Sequence, residues 1–204
     1  MYAGEMGDTI SQARAFGWTG FEPKKIKHET GYWTSQKNIE ITRLEKIYEN
    51  LLKTSGVHLV KGKAVVANKN EVKVGGQHYF AENLVIAVGG TPNRYQIKGL
   101  ENALTSDGIL ELDKTPGKVG VLGSGYIASE FASILNRLGV EVSLFFRADL
   151  PLKGFDNDVR IRVMNHMEEA GIKLHPNSNF DSVEKTASGT KVNLTDRTFN
   201  FDTV

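Results

Sequence analysis

A chain of 204 residues with 40% hydrophobic content, 25 basic and 24 acidic side chains and a net charge of +1 has room for one large or two small domains. It offers no general attraction to nucleic acid or an anionic membrane. No stretch is apolar for long enough to span a bilayer and residues 1–12 lack the basic and apolar regions of a signal peptide, so a cytoplasmic setting is expected; with no cysteine there is no disulfide, thiolate metal site or thiol exchange.

Residues 3–16 pattern as a helix with Met6, Ile10, Ala13 and Phe16 inward, closed by Gly17. Residues 19–37, broken by Gly20, Pro23 and Gly31, read as a loop. The lysines there stand beside Tyr32 and Trp33, but Glu22 and Glu29 dilute them below what a nucleic-acid surface needs. Across residues 38–54, Ile41, Leu44, Ile47, Tyr48, Leu51 and Leu52 recur at three and four residues, the spacing of a helix. Short β-type runs at 57–60, 64–66, 71–74 and 78–80, with turns at 68–70 and Gly75-Gly76, predict a small antiparallel excursion. Residues 84–88, LVIAV, are apolar throughout, as in a buried strand, and end in Gly89-Gly90. Residues 91–96, containing Pro92, read as a crossing between domains.

Ser106 or Asp107 can cap a short helix reaching Leu112, and Pro116-Gly117 breaks the chain before the stretch 118–147, around which the rest is organised. Val119 to Leu122 make a short apolar strand. Gly123, Ser124, Gly125, Tyr126, Ile127 and Ala128 then spell GxGxxA where a helix with Ile127, Phe131, Leu135 and Leu138 should begin. After Gly139, Val140, Val142, Leu144 and Phe146 make a second strand. This order suits a dinucleotide. The first glycine allows the tight turn, the second lets a pyrophosphate reach the backbone, a small third residue lets helix and strand approach, and the phosphate meets free amides at the helix start. An ordinary βαβ unit with glycines in its turn is the alternative.

An NAD site carries an acid about 20 residues beyond the glycines. Here Phe146 and Arg147 stand in that place, and Lys153 follows six residues later. A guanidinium fork binds a 2′-phosphate that an acid would repel, so NADP is favoured over NAD, unless Arg147 is only a solvated residue paired with Asp149. Beyond Pro151 and Gly154, Asp156 caps a helix with Val159, Val163, Met167 and Ala170 inward. Residues 172–174 form a third strand, and 182–184, 191–194 and 199–201 a meander; Asp202, Thr203 and Val204 read as the start of one more strand. The fold class is α/β. The five histidines, His28, His58, His78, His166 and His175, lack metal-ligand spacing, and no metal is expected.

Several motifs in this order resemble the flavin-dependent pyridine nucleotide disulfide reductases, in particular the glutathione reductase group, over essentially all 204 residues. They are GSGYIASEFASILNRLG, SDGILEL before it, FFR and LKGFD after it, and LVIAVGG upstream. The resemblance implies that residues 1–90 are the C-terminal part of an incomplete FAD-binding domain. Residues 91–204 become a Rossmann-like NADP-binding domain with a parallel sheet and a β-meander, lacking its last strand. It implies Gly123, Gly125 and Ala128, with the intervening Ser124 and Ile127, at the NADPH pyrophosphate. Tyr126 matches an aromatic gate over the nicotinamide pocket, and Glu130 an acid near nicotinamide and flavin; these two are the catalytic candidates. Arg147 and Lys153 match the pair around the 2′-phosphate, with Ala148 where a basic residue or histidine is often found. Ala64, beside Lys63, matches a backbone contact to the FAD adenine, and Gly89 and Gly90 the turn that passes the flavin, with Val88 in place of the more usual threonine.

The family's first glycine fingerprint for FAD, its CxxxxC disulfide, its later Gly-Asp flavin motif and its C-terminal dimerisation domain with a His-Glu pair do not occur in this sequence. The implied function is therefore a fragment of an NADPH-dependent, FAD-containing glutathione-disulfide reductase, homodimeric at full length and inactive on its own for want of redox cysteines. A stand-alone NADP-binding module without redox chemistry, or another disulfide reductase of the family, are the alternatives. Neither nucleic acid nor membrane is an expected partner.

Overall fold

In the computed structural model, which describes residues 2–94 and 96–204, the first half of the chain forms α1 (Tyr2–Gln12), α2 (Thr30–Thr54), β1 (Ala64–Asn68), β2 (Glu71–Val74) and β3 (Gln77–Phe80). The second half adds α3 (Ser106–Leu110), β4 (Lys118–Leu122), α4 (Tyr126–Arg137), β5 (Glu141–Phe145), α5 (Asn157–Glu169), β6 (Lys173–His175), β7 (Ser182–Thr186), β8 (Gly189–Asn193) and β9 (Thr198–Phe201). Met1 and Tyr95, the latter inside the expected interdomain crossing, lie outside the described residues. The chain divides into two compact units, one of Met1–Thr34 with Asn93–Val204 and one of Ser35–Pro92.

The first unit is an α/β fold around a parallel sheet of order β4-β5-β6. Its middle strand is buried on both faces, because side chains alternate across a strand and each face here has its own cover. Val142 and Leu144 meet Val119, Ala132, Leu135 and Met167 on the side of α4 and α5. Phe145, 0% exposed, turns the other way into Phe180, Val183, Val192 and Phe201 of the meander. The meander β7-β8-β9 is antiparallel throughout. Its last strand leads to Thr203, which bridges Val119 in parallel on the free side of β4; this is where a further strand was expected to begin.

Inside this unit several helix faces differ from the apolar stripes in the sequence. The helix expected over 3–16 is α-helical only to Gln12, followed by a 3₁₀ turn (Ala13–Phe16) closed by Gly17 at φ 84°. Met6 is 61% exposed and Phe16 79%, while Gly4 is buried. Close approach explains the reversal. A Cβ on Gly7 would come within 2.3 Å of the Arg137 carbonyl oxygen, so the glycine face of α1 lies against the end of α4, and the Arg137 Nε to Asp8 Oδ2 ion pair of 3.0 Å flanks that contact. On α4 itself the inward residues are Ala128, Ser129, Ala132 and Leu135, whereas Ile127 is 47% exposed. On α5, Met167 is buried and Val163 half-buried, but Val159 and Ala170 are exposed. Asp156 caps α5 as expected, its carboxylate accepting from the Asp158 N–H at 2.9 Å. The cap of α3 is Thr105, not Ser106 or Asp107, and that helix stops at Leu110.

Helix α2 starts at Thr30, eight residues before the periodic stretch and inside the expected loop. Its polar first turn is held by tertiary bonds that periodicity does not record. Thr34 Oγ1 donates to the Leu112 carbonyl at 2.8 Å, Thr115 Oγ1 donates to the His28 carbonyl at 3.0 Å, and the Thr30 and Thr115 hydroxyls are bonded to each other.

In the second unit, β1, β2 and β3 form the expected antiparallel excursion, with an irregularity between Val66 and Asn68. The turn before β2 is fastened by Asn70, whose side chain donates to the Ala81 carbonyl at 2.8 Å. Two expected strands do not form. Residues 57–60 and 84–88 have no ladder partner among the described residues, and Val85 is 85% exposed. An apolar run becomes a strand only where another strand receives its backbone hydrogen bonds. Among the described residues no helix is long and apolar enough to cross a membrane.

Candidate functional site

Strand β4 ends in the glycine turn. Gly123 has φ 127°, a backbone region that side chains disfavour, and its N–H donates to the Phe145 carbonyl at 2.9 Å, tying the turn to β5. Conformation, not crowding, demands this glycine, since a Cβ there would meet only the Ala128 methyl at an ordinary 3.6 Å. Gly125 is the opposite case. It is the N-cap of α4 at φ −72°, which any residue adopts, and among the described residues no atom beyond its chain neighbours lies within 4 Å of a Cβ placed on it. The space before it is open. Among the described residues no side chain caps α4, so its first amides, which a helix leaves without internal acceptors, face that space with the positive end of the helix dipole. The turn thus fits a pyrophosphate.

The parallel register pairs Leu122 with Phe145, so Arg147, two residues on, emerges beside the glycine turn at the carboxyl edge of the sheet. It is exposed. The following loop folds back on the turn, the Leu152 N–H donating to the Ser124 carbonyl at 2.7 Å, and Pro151 and Leu152 are buried. Lys153 comes next, exposed and with no ion-pair partner among the described residues. Gly123 to Ala128, Arg147 and Lys153 are therefore brought to one edge, where open α/β sheets present their ligand crevice.

Tyr126 and Glu130 stand four residues apart on α4 and share one exposed face, Tyr126 with 61% of its surface free. Behind them Ser129 is buried and its hydroxyl has no hydrogen-bond partner among the described residues. Ala64, Gly89 and Gly90 belong to the other unit. Ala64 opens β1 opposite Val74 and is exposed; Gly89 has φ 69°, and among the described residues neither glycine has an atom beyond its chain neighbours within 4 Å of an added Cβ.

Two neighbours of the site carry no motif. Asn177, at φ 54°, donates from its side chain to Asp149 at 2.8 Å and from its backbone to the Ala148 carbonyl at 3.3 Å, holding the loop from the β6 side. An Asn after Pro176 is a turn signal, but nothing local tells which loop it grips. His175 stacks on Phe145 with ring centroids 4.3 Å apart, and its Nε2 is buried without a hydrogen-bond partner among the described residues. Burial, followed by the Arg197 and Lys173 charges, holds its pKa below the usual value. Among the described residues no three His, Cys, Asp or Glu side chains converge as for a metal.

The family described as pyridine nucleotide-disulphide oxidoreductase matches residues 5–204. The glutathione reductase of Nostoc sp. is 31% identical over 194 residues, which cover 95% of this chain and 42% of the relative. The chloroplastic/mitochondrial glutathione reductase of Pisum sativum is 37% identical over 190 residues, covering 93% and 34% respectively. The chain thus spans less than half the length of these curated relatives. Among solved structures, the HOCl-induced flavoprotein disulfide reductase RclA from Escherichia coli superposes with a TM-score of 0.78 at 22% identity, over 97% of this chain and 44% of that one, and shares the fold. With a family match running from residue 5 to residue 204, on a parallel α/β fold, this chain belongs to the pyridine nucleotide-disulphide oxidoreductases and is glutathione reductase-like in sequence.

Proposed function

We propose that residues 118–154 bind the NADPH of a flavin-dependent disulfide reductase whose substrate, in the full-length protein, is glutathione disulfide. The observation that carries this reading is the open Gly125 at the start of α4 with Arg147 emerging beside it from the neighbouring strand. The first amides of α4 donate to pyrophosphate oxygens, a contact that needs close backbone approach and no side chain. Arg147 supplies a fork to the 2′-phosphate and Lys153 a second positive charge. Tyr126 gates the nicotinamide end and Glu130 is the acid beside it; their shared exposed face supports both roles. The nicotinamide, when bound, is the hydride donor to the flavin.

In this reading residues 1–90 are the trailing part of an FAD-binding domain, to which Ala64, Gly89 and Gly90 contribute, and residues 91–204 a Rossmann-like NADP-binding domain. The full-length protein is a cytoplasmic homodimer. The thiolates for disulfide exchange come from outside these residues, which contain no cysteine, so this stretch alone does not turn over the substrate. That same lack favours a second reading, an NADP-binding module without redox chemistry; reduction of glutathione disulfide by the full-length protein separates the two.

Arg147→Glu in the full-length protein is the test. Loss of a charge-assisted bond should weaken NADPH about ten- to a hundredfold while leaving NADH nearly unchanged. Equal effects on both nucleotides contradict the assignment.

A further inference from the structure

We propose that Arg160, on the first turn of α5, is a positioning residue that sets the preference for a 2′-phosphorylated nucleotide by holding the loop that carries Lys153; this rests on the NADPH reading above. Arg160 is half-buried, and its guanidinium lies on that loop. Nε donates to the Pro151 carbonyl at 2.7 Å, Nη2 to the Leu150 carbonyl at 3.0 Å and Nη1 to Asn157 Oδ1 at 2.9 Å. It has no carboxylate partner among the described residues, so its donors serve backbone carbonyls instead of an ion pair. Two consecutive carbonyls gripped by one planar fork fix the direction of the chain between them, which a single ammonium does not do.

The loop needs such a grip. Leu152 has φ 55°, a left-handed conformation that a leucine keeps only where its surroundings over-determine it. Three fasteners surround it: the Arg160 fork on the two preceding carbonyls, the Leu152 N–H to the Ser124 carbonyl, and the Phe155 N–H to the Leu152 carbonyl at 3.1 Å. Lys153 follows directly, its backbone held within this knot and its side chain exposed. The glycine turn has a separate anchor in the Gly123 N–H to Phe145 carbonyl bond. Releasing Arg160 therefore loosens Lys153 and leaves the pyrophosphate end in place.

The test is calorimetric binding of 2′,5′-ADP and 5′-AMP to the full-length protein and its R160M, R160K, K153A and R160M/K153A variants. Both Arg160 variants should bind 2′,5′-ADP about tenfold more weakly and 5′-AMP within about twofold of wild type. Adding R160M to K153A should cost nothing further, because the two residues act as one unit. Wild-type behaviour in R160K, additive losses in the double variant, or an equal loss for 5′-AMP would each overturn the positioning role. Equal wild-type affinity for the two ligands would instead overturn the NADPH reading, and the proposal with it, before any variant is compared.

Discussion

Leu152 donates its backbone N–H to the carbonyl oxygen of Ser124 at 2.7 Å, fastening the loop after β5 to the glycine turn after β4. Together with the Gly123 N–H to Phe145 carbonyl bond, it joins the two halves of the candidate site. The basic residues on the loop are held in register with the open end of α4.

The two glycines of the turn should respond differently to alanine. At Gly123, with φ 127°, Gly123→Ala forces a disfavoured backbone and should cost the full-length protein about 1–2 kcal/mol in a denaturant titration. Gly125→Ala places a methyl in open space at an ordinary φ, so stability should stay within about 0.5 kcal/mol while NADPH binding falls. Unchanged NADPH affinity in Gly125→Ala would remove the pyrophosphate from this position.

Stability should depend on pH through His175. Its folded pKa lies below the usual 6.5, first because it is buried and then because of Arg197 and Lys173. Below pH 6.5 the unfolded chain binds more protons than the folded one, so stability present above that pH is lost as pH falls through the lowered folded value. His28, also lowered by burial, acts in the same direction. His175→Phe retains an aromatic ring on Phe145 and should flatten, without abolishing, the pH dependence of the urea midpoint. An unaltered slope would show that His175 does not titrate with folding.

The contact between α1 and α4 rests on close approach more than on charge. Gly7→Ala drives a methyl to 2.3 Å from the Arg137 carbonyl oxygen, and overpacking of this kind costs about 1–3 kcal/mol. The Asp8–Arg137 pair is only partly buried, and Asp8→Asn should cost under about 1 kcal/mol. Thermal unfolding of both variants gives the order; a larger loss in Asp8→Asn would reverse the explanation.

Much of the βαβ unit was legible because its signals are local. The alternation of Val140, Val142, Leu144 and Phe146, the cap at Asp156 and the spacing of glycines, Arg147 and Lys153 each depend on a few neighbouring residues. Burial depends on what lies opposite, which no local pattern records. LVIAV carries the composition of a core strand but has no ladder partner among the described residues, and Val85 is exposed. Met6 and Ile127 carry the apolar stripes of their helices, yet Gly7 and Ala132 take the contacts, because small residues allow the closest approach. Within the candidate site, the residues proposed for recognition follow from a motif, whereas the bonds that hold their backbone, from Arg160, Asn177 and Leu152, end on backbone carbonyls or join distant loops and leave no pattern in the sequence.

The claim that this segment binds NADPH is tested most directly by hydrogen exchange of the full-length protein with and without NADPH, read at peptide resolution. Binding as described predicts slower exchange at residues 124–128 and 147–153. Unchanged exchange in both segments, with protection appearing elsewhere, would contradict it.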